Sequence, residues 1–250
     1  MSNFKNKTIV ITGGTSGIGL ATAKELASKE ATVIITGRHK ESVETESKSI
    51  GAMGIVSDQS DLNQVKTLAA EVKTQFEKVD VLFINAGIAA FSPVSMITEE
   101  HFDAIMDINF KGALFTLKEF IPILNEGASV IFLSSINAYN AMENTAVYAA
   151  SKAALNALAK VAATELAPRG IRVNVVSPGP INTPLWGKLG IEEEQLAQTA
   201  AFIQSKVPLR KFGTSEEIAK TVIFLASDDA AYTTGAEFVV DGGFNLNTLA

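Results

Sequence analysis

Short apolar runs alternate with segments of helical periodicity along almost the whole chain. Runs such as 8–11 and 79–84 are rich in β-branched residues and mostly apolar, which is typical of strands buried on both faces of a parallel sheet. The pattern predicts strands over 8–11, 32–35, 54–56, 79–84, 130–133, 172–176 and 237–240, and helices over 18–29, 62–77, 99–124, 147–167 and 215–227. Such alternation predicts an α/β fold: a doubly wound, Rossmann-type parallel sheet of seven strands with helices on both faces.

A single domain is expected over residues 1–250, because the chain shows no internal repeat, no low-complexity tract and no flexible linker. Residues 184–212 break the alternation. They follow a proline-rich turn, 178–180, and contain the only tryptophan, Trp186. Because long segments of this kind are more often functional than idle connectors, we predict that 184–212 is a substrate-binding loop or lid.

The composition excludes several classes of function. There is no cysteine, which excludes disulfide scaffolds and thiol catalysis, and the two histidines, His39 and His101, are too few for a histidine-rich metal site, so no metal is expected. A net charge of −6 offers no basic surface to nucleic acid or to an anionic membrane. The chain has neither a signal-peptide core nor a membrane-length apolar run. We expect a soluble, cytoplasmic protein without a nucleic-acid or membrane partner.

A glycine-rich turn follows the first predicted strand and precedes the first predicted helix. It reads Thr12-Gly13-Gly14-Thr15-Ser16-Gly17-Ile18-Gly19. Glycines in this place allow a tight turn and a close backbone approach, and the free N–H groups of a helix N-terminus favour a pyrophosphate. The spacing differs from the common GxGxxG fingerprint, and an ordinary glycine-rich turn is the alternative. Its position between strand and helix favours dinucleotide binding.

The end of the second predicted strand bears on which dinucleotide binds. It reads Thr36-Gly37-Arg38-His39, with no carboxylate before Glu41. In a nucleotide-binding βαβ unit, an acidic residue here holds the ribose 2′-hydroxyl, whereas an arginine suits a 2′-phosphate. Arg38 therefore favours NADP(H) over NAD(H), although it could also stack on adenine or simply point into solvent.

Tyr148 and Lys152 stand four residues apart and share one face of a predicted helix. A phenol titrates near pH 10, but a nearby ammonium stabilises the phenolate and lowers its pKa, so Tyr148 is a plausible acid or base for carbonyl chemistry. Ser135 ends a buried strand, where open α/β sheets bind ligands, and its hydroxyl could polarise a carbonyl.

Two asparagines also stand out. Asn109 lies in a predicted apolar helix face, where its amide is costly unless it is hydrogen-bonded; it could hold a water beside Lys152 or serve a structural network. Asn85-Ala86-Gly87 follows the fourth predicted strand, where small residues let the backbone approach a cofactor or simply form a turn.

In this order, these motifs resemble those of the classical short-chain dehydrogenases/reductases, and the resemblance runs from Thr8 to Gly243. The matching pieces are the glycine turn, Asn85-Ala86-Gly87, Asn109, Ser135, Tyr148-x3-Lys152, Pro178-Gly179 and Asp241-Gly242-Gly243. The resemblance implies an NAD(P)(H)-dependent oxidoreductase that interconverts a carbonyl and an alcohol, and an assembly, commonly a homotetramer, paired through 99–124 and 147–167.

The resemblance also implies roles for particular residues. Tyr148 would be the catalytic acid or base, Lys152 would bind the nicotinamide ribose, Ser135 would orient the carbonyl, and Asn109 would support a proton-relay water. The cofactor-binding residues expected in total are Gly13, Thr15, Ser16, Gly17, Ile18, Gly19, Arg38, His39, Asp58, Gln59, Asn85, Ala86, Gly87, Tyr148, Lys152, Pro178, Gly179, Ile181 and Thr183.

The expected substrate pocket is mostly apolar, which favours a small ketone or aldehyde. Its expected contacts are Ser135, Asn137, Met142, Glu143, Tyr148 and Trp186. A sugar or polyol is an alternative, because Glu143 could bond a hydroxyl. A 3-hydroxyacyl dehydrogenase is another, although an acidic carrier protein would need a basic patch and 118–130 offers only Lys118. A non-catalytic dinucleotide-binding regulator is disfavoured, because Tyr148 and Lys152 are both present.

Overall fold

The apolar runs of the sequence form parallel strands. The computed structural model describes residues 4–182 and 193–246. Its strands are β1 (Thr8–Ile11), β2 (Thr32–Gly37), β3 (Met53–Val56), β4 (Val79–Ile84), β5 (Leu124–Leu133), β6 (Arg172–Pro178), β7 (Ile181–Asn182), β8 (Gly213–Thr214) and β9 (Glu237–Val240). Its α-helices are α1 (Gly17–Ala27), α2 (Lys40–Ile50), α3 (Leu62–Phe76), α4 (Glu99–Met106), α5 (Ala113–Phe120), α6 (Ala146–Leu166), α7 (Glu193–Lys206) and α8 (Ser215–Ala226).

Seven of these strands form one parallel sheet in the order β3-β2-β1-β4-β5-β6-β9. The chain moves outward from β1 to β3 and then crosses to β4 on the other side of β1. The connections that leave β1 and β4 therefore diverge, which opens a crevice at their carboxyl ends. The glycine turn follows β1 and Asn85-Ala86-Gly87 follows β4, so the topology brings both motifs to this crevice.

Helices cover both faces of the sheet, as predicted. Ile9 and Ile11 of β1 are buried against α1 and α8, whereas Val10 is buried in the cluster that includes α3, α5 and α6. Because helices cover both faces of the central strands, these strands are mostly apolar rather than strictly alternating. The doubly wound α/β fold expected from the sequence is confirmed.

The predicted helix over 99–124 is interrupted. A π-helical turn, Asp107–Gly112, separates α4 from α5, and β5 already begins at Leu124. At Gly112 the helix presses against the loop after β3, since a Cβ there would lie 2.1 Å from the carbonyl oxygen of Gln59. A π turn inserts one residue without ending the helix, so hydrophobic periodicity alone cannot reveal it.

Two helices lie where the sequence predicts none. Helix α2 is polar and buries only Val43 and Ser47, so it shows little apolar periodicity. Helix α7 occupies the middle of the segment 184–212, which was expected to be a loop. Trp186 and Thr183 lie outside the described residues, and the role of 184–212 as a lid stays a prediction.

Within residues 4–182 and 193–246, no helix combines the length and apolar character that a membrane crossing requires. The same part of the chain holds no cluster of three or more histidine, aspartate or glutamate side chains arranged to bind a metal ion.

Candidate active site

The crevice between β1 and β4 is a two-lobed cleft. One lobe, of about 180 Å³, is bordered by Ser135, Tyr148 and Lys152. The other, of about 300 Å³, is bordered by the glycine turn and Arg38. The lobes are neighbours, because both are bordered by the same five residues, Ile18, Asn85, Gly87, Ile88 and Leu133. Such a shape suits an elongated ligand with a different chemical group at each end.

The glycine turn brings the start of α1 against the preceding backbone. A Cβ on Gly19 would lie 2.4 Å from the carbonyl oxygen of Gly13, so no larger residue fits without a shift. The N-cap, Ser16, makes no side-chain hydrogen bond to the first turn, and that turn contains no acidic residue. Neither the N-cap nor the first turn of α1 therefore neutralises the positive end of this helix, which can stabilise an anion in the cleft.

Asn85 braces this turn. Its Nδ2 donates hydrogen bonds of 2.9 Å to the carbonyl oxygens of Thr12 and Gly13. In return, Thr12 Oγ1 accepts from the backbone N–H groups of Asn85 and Ala86, at 3.0 and 3.1 Å. Sequence reasoning missed this bracing role, because the two motifs are far apart along the chain. The ribose contact expected of Asn85 stays a prediction.

The larger lobe ends beside Arg38. The Arg38 side chain is exposed, and its Nε donates to Nε2 of His39 at 3.1 Å. Asp58 also borders this lobe, and its carboxylate accepts from the backbone N–H and the hydroxyl of Ser60. Gln59 borders the lobe as well, but its buried side chain donates to Thr116 Oγ1 at 2.7 Å, so its amide nitrogen is used inside the fold.

Ser57 is a cleft residue that sequence reasoning missed. It borders the larger lobe, it is 6% exposed, and its buried hydroxyl has no hydrogen-bond partner within the described residues. An unpaired buried hydroxyl costs about 1–3 kcal/mol, which a ligand group could recover. A single serine after a strand carries no sequence signal of such a role.

Tyr148 and Ser135 meet in the smaller lobe. Tyr148 lies in the first turn of α6 and Ser135 follows β5, and both residues border the same lobe. The rings of Phe91 and Tyr148 pack nearly perpendicular to each other, with ring centroids 6.3 Å apart. Burial raises the pKa of Tyr148 above its usual value of 10.0, and a side-chain hydrogen bond with Ser135 offsets part of that rise. The phenol is therefore protonated at neutral pH.

Lys152 lies one helical turn after Tyr148. Its Nζ donates to the carbonyl oxygen of Leu133 at 2.8 Å and lies 5.8 Å from the centre of the Tyr148 ring. Burial lowers the pKa of Lys152 to about 8. The spacing of Tyr148 and Lys152 predicts that this ammonium lowers the pKa of Tyr148. In the structure the pKa of Tyr148 is instead raised, because the phenol is buried.

Asn109 is buried in the π-helical turn and is hydrogen-bonded, as its apolar surroundings require. Its Oδ1 accepts from the backbone N–H of Ile88 at 2.8 Å, and its Nδ2 donates to the carbonyl oxygen of Ile88 at 2.9 Å and to Ser151 Oγ at 3.1 Å. These bonds join α6 to the segment after β4. A water held by Asn109 stays a prediction.

The other expected site residues divide into two groups. Pro178, Gly179 and Ile181 border the smaller lobe, as expected of them. Three of the expected substrate contacts, Asn137, Met142 and Glu143, do not border the cleft. Asn137 is buried, and Met142 and Glu143 are exposed in the loop before α6.

Comparison with known proteins identifies the family. Residues 13–245 match the family model described as "Enoyl-(Acyl carrier protein) reductase". The chain is 37% identical to a 3-oxoacyl-(acyl-carrier-protein) reductase of Thermotoga maritima, over 96% of this chain and 98% of that protein. It is 36% identical to an NADP-dependent (R)-specific alcohol dehydrogenase of Lentilactobacillus kefiri, over 96% and 97% of the two chains.

A solved structure supports the same family assignment. The short-chain dehydrogenase/reductase of Brucella melitensis that is titled a glucose/ribitol dehydrogenase superposes with a TM-score of 0.92 at 30% identity, over 98% of this chain and 99% of that one. The chain belongs to the short-chain dehydrogenase/reductase family. It is an oxidoreductase of a family that uses NAD(P)(H).

The cleft of this short-chain dehydrogenase/reductase fits such a dinucleotide. The glycine turn leaves no room for side chains beside Gly13, and neither the N-cap nor an acid in the first turn neutralises the positive end of α1. The hydroxyl of Ser57 lacks a protein partner in the described part of the chain. These features lie along the larger lobe, whereas Tyr148 and Lys152 lie at the other end. The adenosine would therefore lie by Arg38 and the nicotinamide by Lys152.

Burial of Lys152 predicts an unusual dependence of stability on pH. Between pH 8 and 10.5 the unfolded chain keeps this proton while the folded chain has released it, so the free energy of unfolding should rise with pH through this window. Across this window the free energy of unfolding of the wild type should rise by up to about 3 kcal/mol more than that of Lys152→Met, at about 1.4 kcal/mol per pKa unit. Urea unfolding of both proteins from pH 7 to 10.5 measures this difference.

Lys160→Met is the matched control, because Lys160 is exposed on the same helix. The difference between that variant and the wild type should stay flat over the same pH range. An equally flat difference for Lys152→Met would contradict the burial argument.

Proposed function

We propose that this protein is an NAD(P)H-dependent reductase that converts a ketone or aldehyde reversibly into an alcohol, with Tyr148 as the acid and base. The observation that carries the proposal is the meeting of Tyr148, Ser135 and Lys152 in one lobe of a cleft that fits a dinucleotide. A bound nicotinamide supplies the hydride in reduction and accepts it in oxidation.

In this proposal Tyr148 transfers the proton. The hydroxyl of Ser135 is placed to orient and polarise a carbonyl oxygen, and the phenol of Tyr148 donates a proton to that oxygen as negative charge develops on it. A pKa above the usual value keeps this proton on the phenol at neutral pH, which suits reduction. Oxidation of an alcohol needs the phenolate, which the positive charge of Lys152 stabilises.

Tyr148→Phe should lower kcat for carbonyl reduction by at least ~10²-fold, because it removes the acid but keeps the ring. The measurement is the loss of NADPH absorbance with a reactive ketone. Tyr232→Phe is the matched control, since Tyr232 is fully exposed, and it should keep the wild-type rate. Near-normal turnover of Tyr148→Phe would end this assignment.

A small, mostly apolar carbonyl compound is the substrate class that we propose. Phe91, Ile88 and Leu133 lie around Tyr148, and the relative from Lentilactobacillus kefiri is an alcohol dehydrogenase. The relative from Thermotoga maritima supports a 3-oxoacyl substrate, and the Brucella melitensis structure supports a sugar or polyol. A panel of simple ketones, an acetoacetyl thioester and sugars separates the three. A cytoplasmic location stays a prediction from the sequence.

We propose that NADP(H) is preferred over NAD(H). Arg38 is exposed at the adenosine end, and its Nε donates to His39, which limits its orientations. The chain neighbours of Arg38 are Gly37 and His39, so the end of β2 carries no carboxylate of the kind that would select a ribose 2′-hydroxyl. The Lentilactobacillus kefiri relative is NADP-dependent, which supports the same preference.

Arg38→Asp should raise KM for NADPH by at least ~10-fold and leave KM for NADH nearly unchanged or lower, because the carboxylate repels the 2′-phosphate. Steady-state kinetics with both cofactors measure this. Lys40→Asp makes the same change of charge two residues away, at a side chain that pairs with Glu44, and is the matched control. An equal effect of Arg38→Asp on both cofactors would remove the phosphate-recognition role.

We also propose a homotetramer. In the described chain α6 presents Val161, which is 56% exposed, and α4 presents Phe102, which is 46% exposed. These apolar side chains suit burial against a second copy. Light scattering should give a mass of about four chains rather than one chain of 26.5 kDa. Val161→Asp together with Phe102→Asp should lower that mass, and a monomeric wild type would contradict the proposal.

A further inference from the structure

Asn245 ties the C-terminal part of the chain to the loop before Tyr148. We call residues 139–145 the substrate-side loop and residues 241–246 the C-terminal turn. The Nδ2 of Asn245 donates to the hydroxyl of Tyr139 at 3.2 Å, and its Oδ1 accepts a hydrogen bond from Nδ2 of Asn140. One side chain of the C-terminal turn thus holds two successive residues of the substrate-side loop.

The C-terminal turn is itself held firmly. The carboxylate of Asp241 accepts from the backbone N–H groups of Gly243 and Asn245, both at 2.8 Å. Asp241 also packs on Gly179, where an added Cβ would lie 2.5 Å from the Asp241 Cβ. Because Gly179 borders the smaller lobe, Asn245 is positioned by the same backbone that borders the cleft beside Tyr148.

The substrate-side loop has a second attachment at its other end. The carbonyl oxygen of Asn144 accepts from the backbone N–H of Ser92 at 2.8 Å, next to Phe91, whose ring packs on Tyr148. Asn144 is one of the few non-glycine residues with a positive φ, +66°, which marks a sharp bend in this loop. The loop is therefore held to the Phe91 segment by backbone and to the C-terminal turn by side chains.

The side chains of this loop do not border the cleft, but the loop joins Ser135 to Tyr148, and both of these residues border the smaller lobe. We propose that Asn245 is a positioning residue that holds this connection in place, so that it determines how well bulky carbonyls are accepted beside Tyr148 relative to small ones. This inference rests on the function proposed above. Loss of the Asn245 side chain would release Tyr139 and Asn140 but leave the bond between Ser92 and Asn144. The loop, which carries Met142 and Glu143, could then swing about its remaining attachment.

The test compares Asn245→Ala with the wild type in two measurements. Hydrogen exchange followed by mass spectrometry should show exchange in 139–145 about tenfold faster or more, on the scale of losing two hydrogen bonds, while the glycine turn is unchanged. The ratio of kcat/KM for acetophenone to that for acetone should change by at least ~5-fold, while the dissociation constant of NADPH stays within about twofold.

Variants on the loop side examine the same bonds without touching the C-terminal turn. Tyr139→Phe and Asn140→Ala should each show part of the effect of Asn245→Ala, and neither should add its full effect to Asn245→Ala in a double variant. Asn63→Ala, at an exposed asparagine of α3, is the matched control and should match the wild type in both measurements.

Unchanged exchange in 139–145 would overturn the inference, and so would faster exchange with an unchanged selectivity ratio. A failure of the proposed function has a different signature: the wild type would reduce none of the carbonyls. The exchange comparison would still report whether Asn245 holds the loop.

Discussion

The site depends on the hydrogen bonds that cross the crevice between β1 and β4. Parallel strands whose connections diverge leave a gap at their carboxyl ends, and nothing in the sheet itself closes it. Thr12 after β1 and Asn85 after β4 bridge that gap with four hydrogen bonds. The bridge holds the glycine turn against the start of α1, and so it orients the positive end of that helix toward the cleft.

A second constraint is the burial of ionisable groups on α6. Burial raises the pKa of Tyr148 and lowers that of Lys152, so each group is pushed toward its neutral form. The bonds from Ser135 to the phenol and from Lys152 to the carbonyl of Leu133 fix both groups in place. Asn109 holds the segment after β4 against the same helix. Hydrogen bonds therefore fix the backbone around the lobe, while the protonation of Tyr148 and Lys152 depends on the charge of what binds beside them.

Much of the site could be predicted from the sequence, because its parts are short motifs with a local mechanism. A glycine turn between strand and helix, a tyrosine and a lysine one helical turn apart, and a serine at a strand end can each be recognised without coordinates. Ser57, Asn245 and the π turn around Asn109 could not, since their roles come from contacts with distant segments. Helix α2 was missed because only Val43 and Ser47 of it are buried, which leaves little apolar periodicity to detect.

The order of amino acids is enough to predict the layers of this protein, because hydrophobic periodicity records which residues avoid water, and that is a local property of each segment. It also determined the types of chemical group at the site. Which groups meet depends on the folded structure: the pairing of Asn85 with the glycine turn, the burial that lowers the pKa of Lys152, and the hold of Asn245 on the loop before Tyr148. These depend on distances between residues far apart in the chain, and such distances exist only once the sheet has assembled.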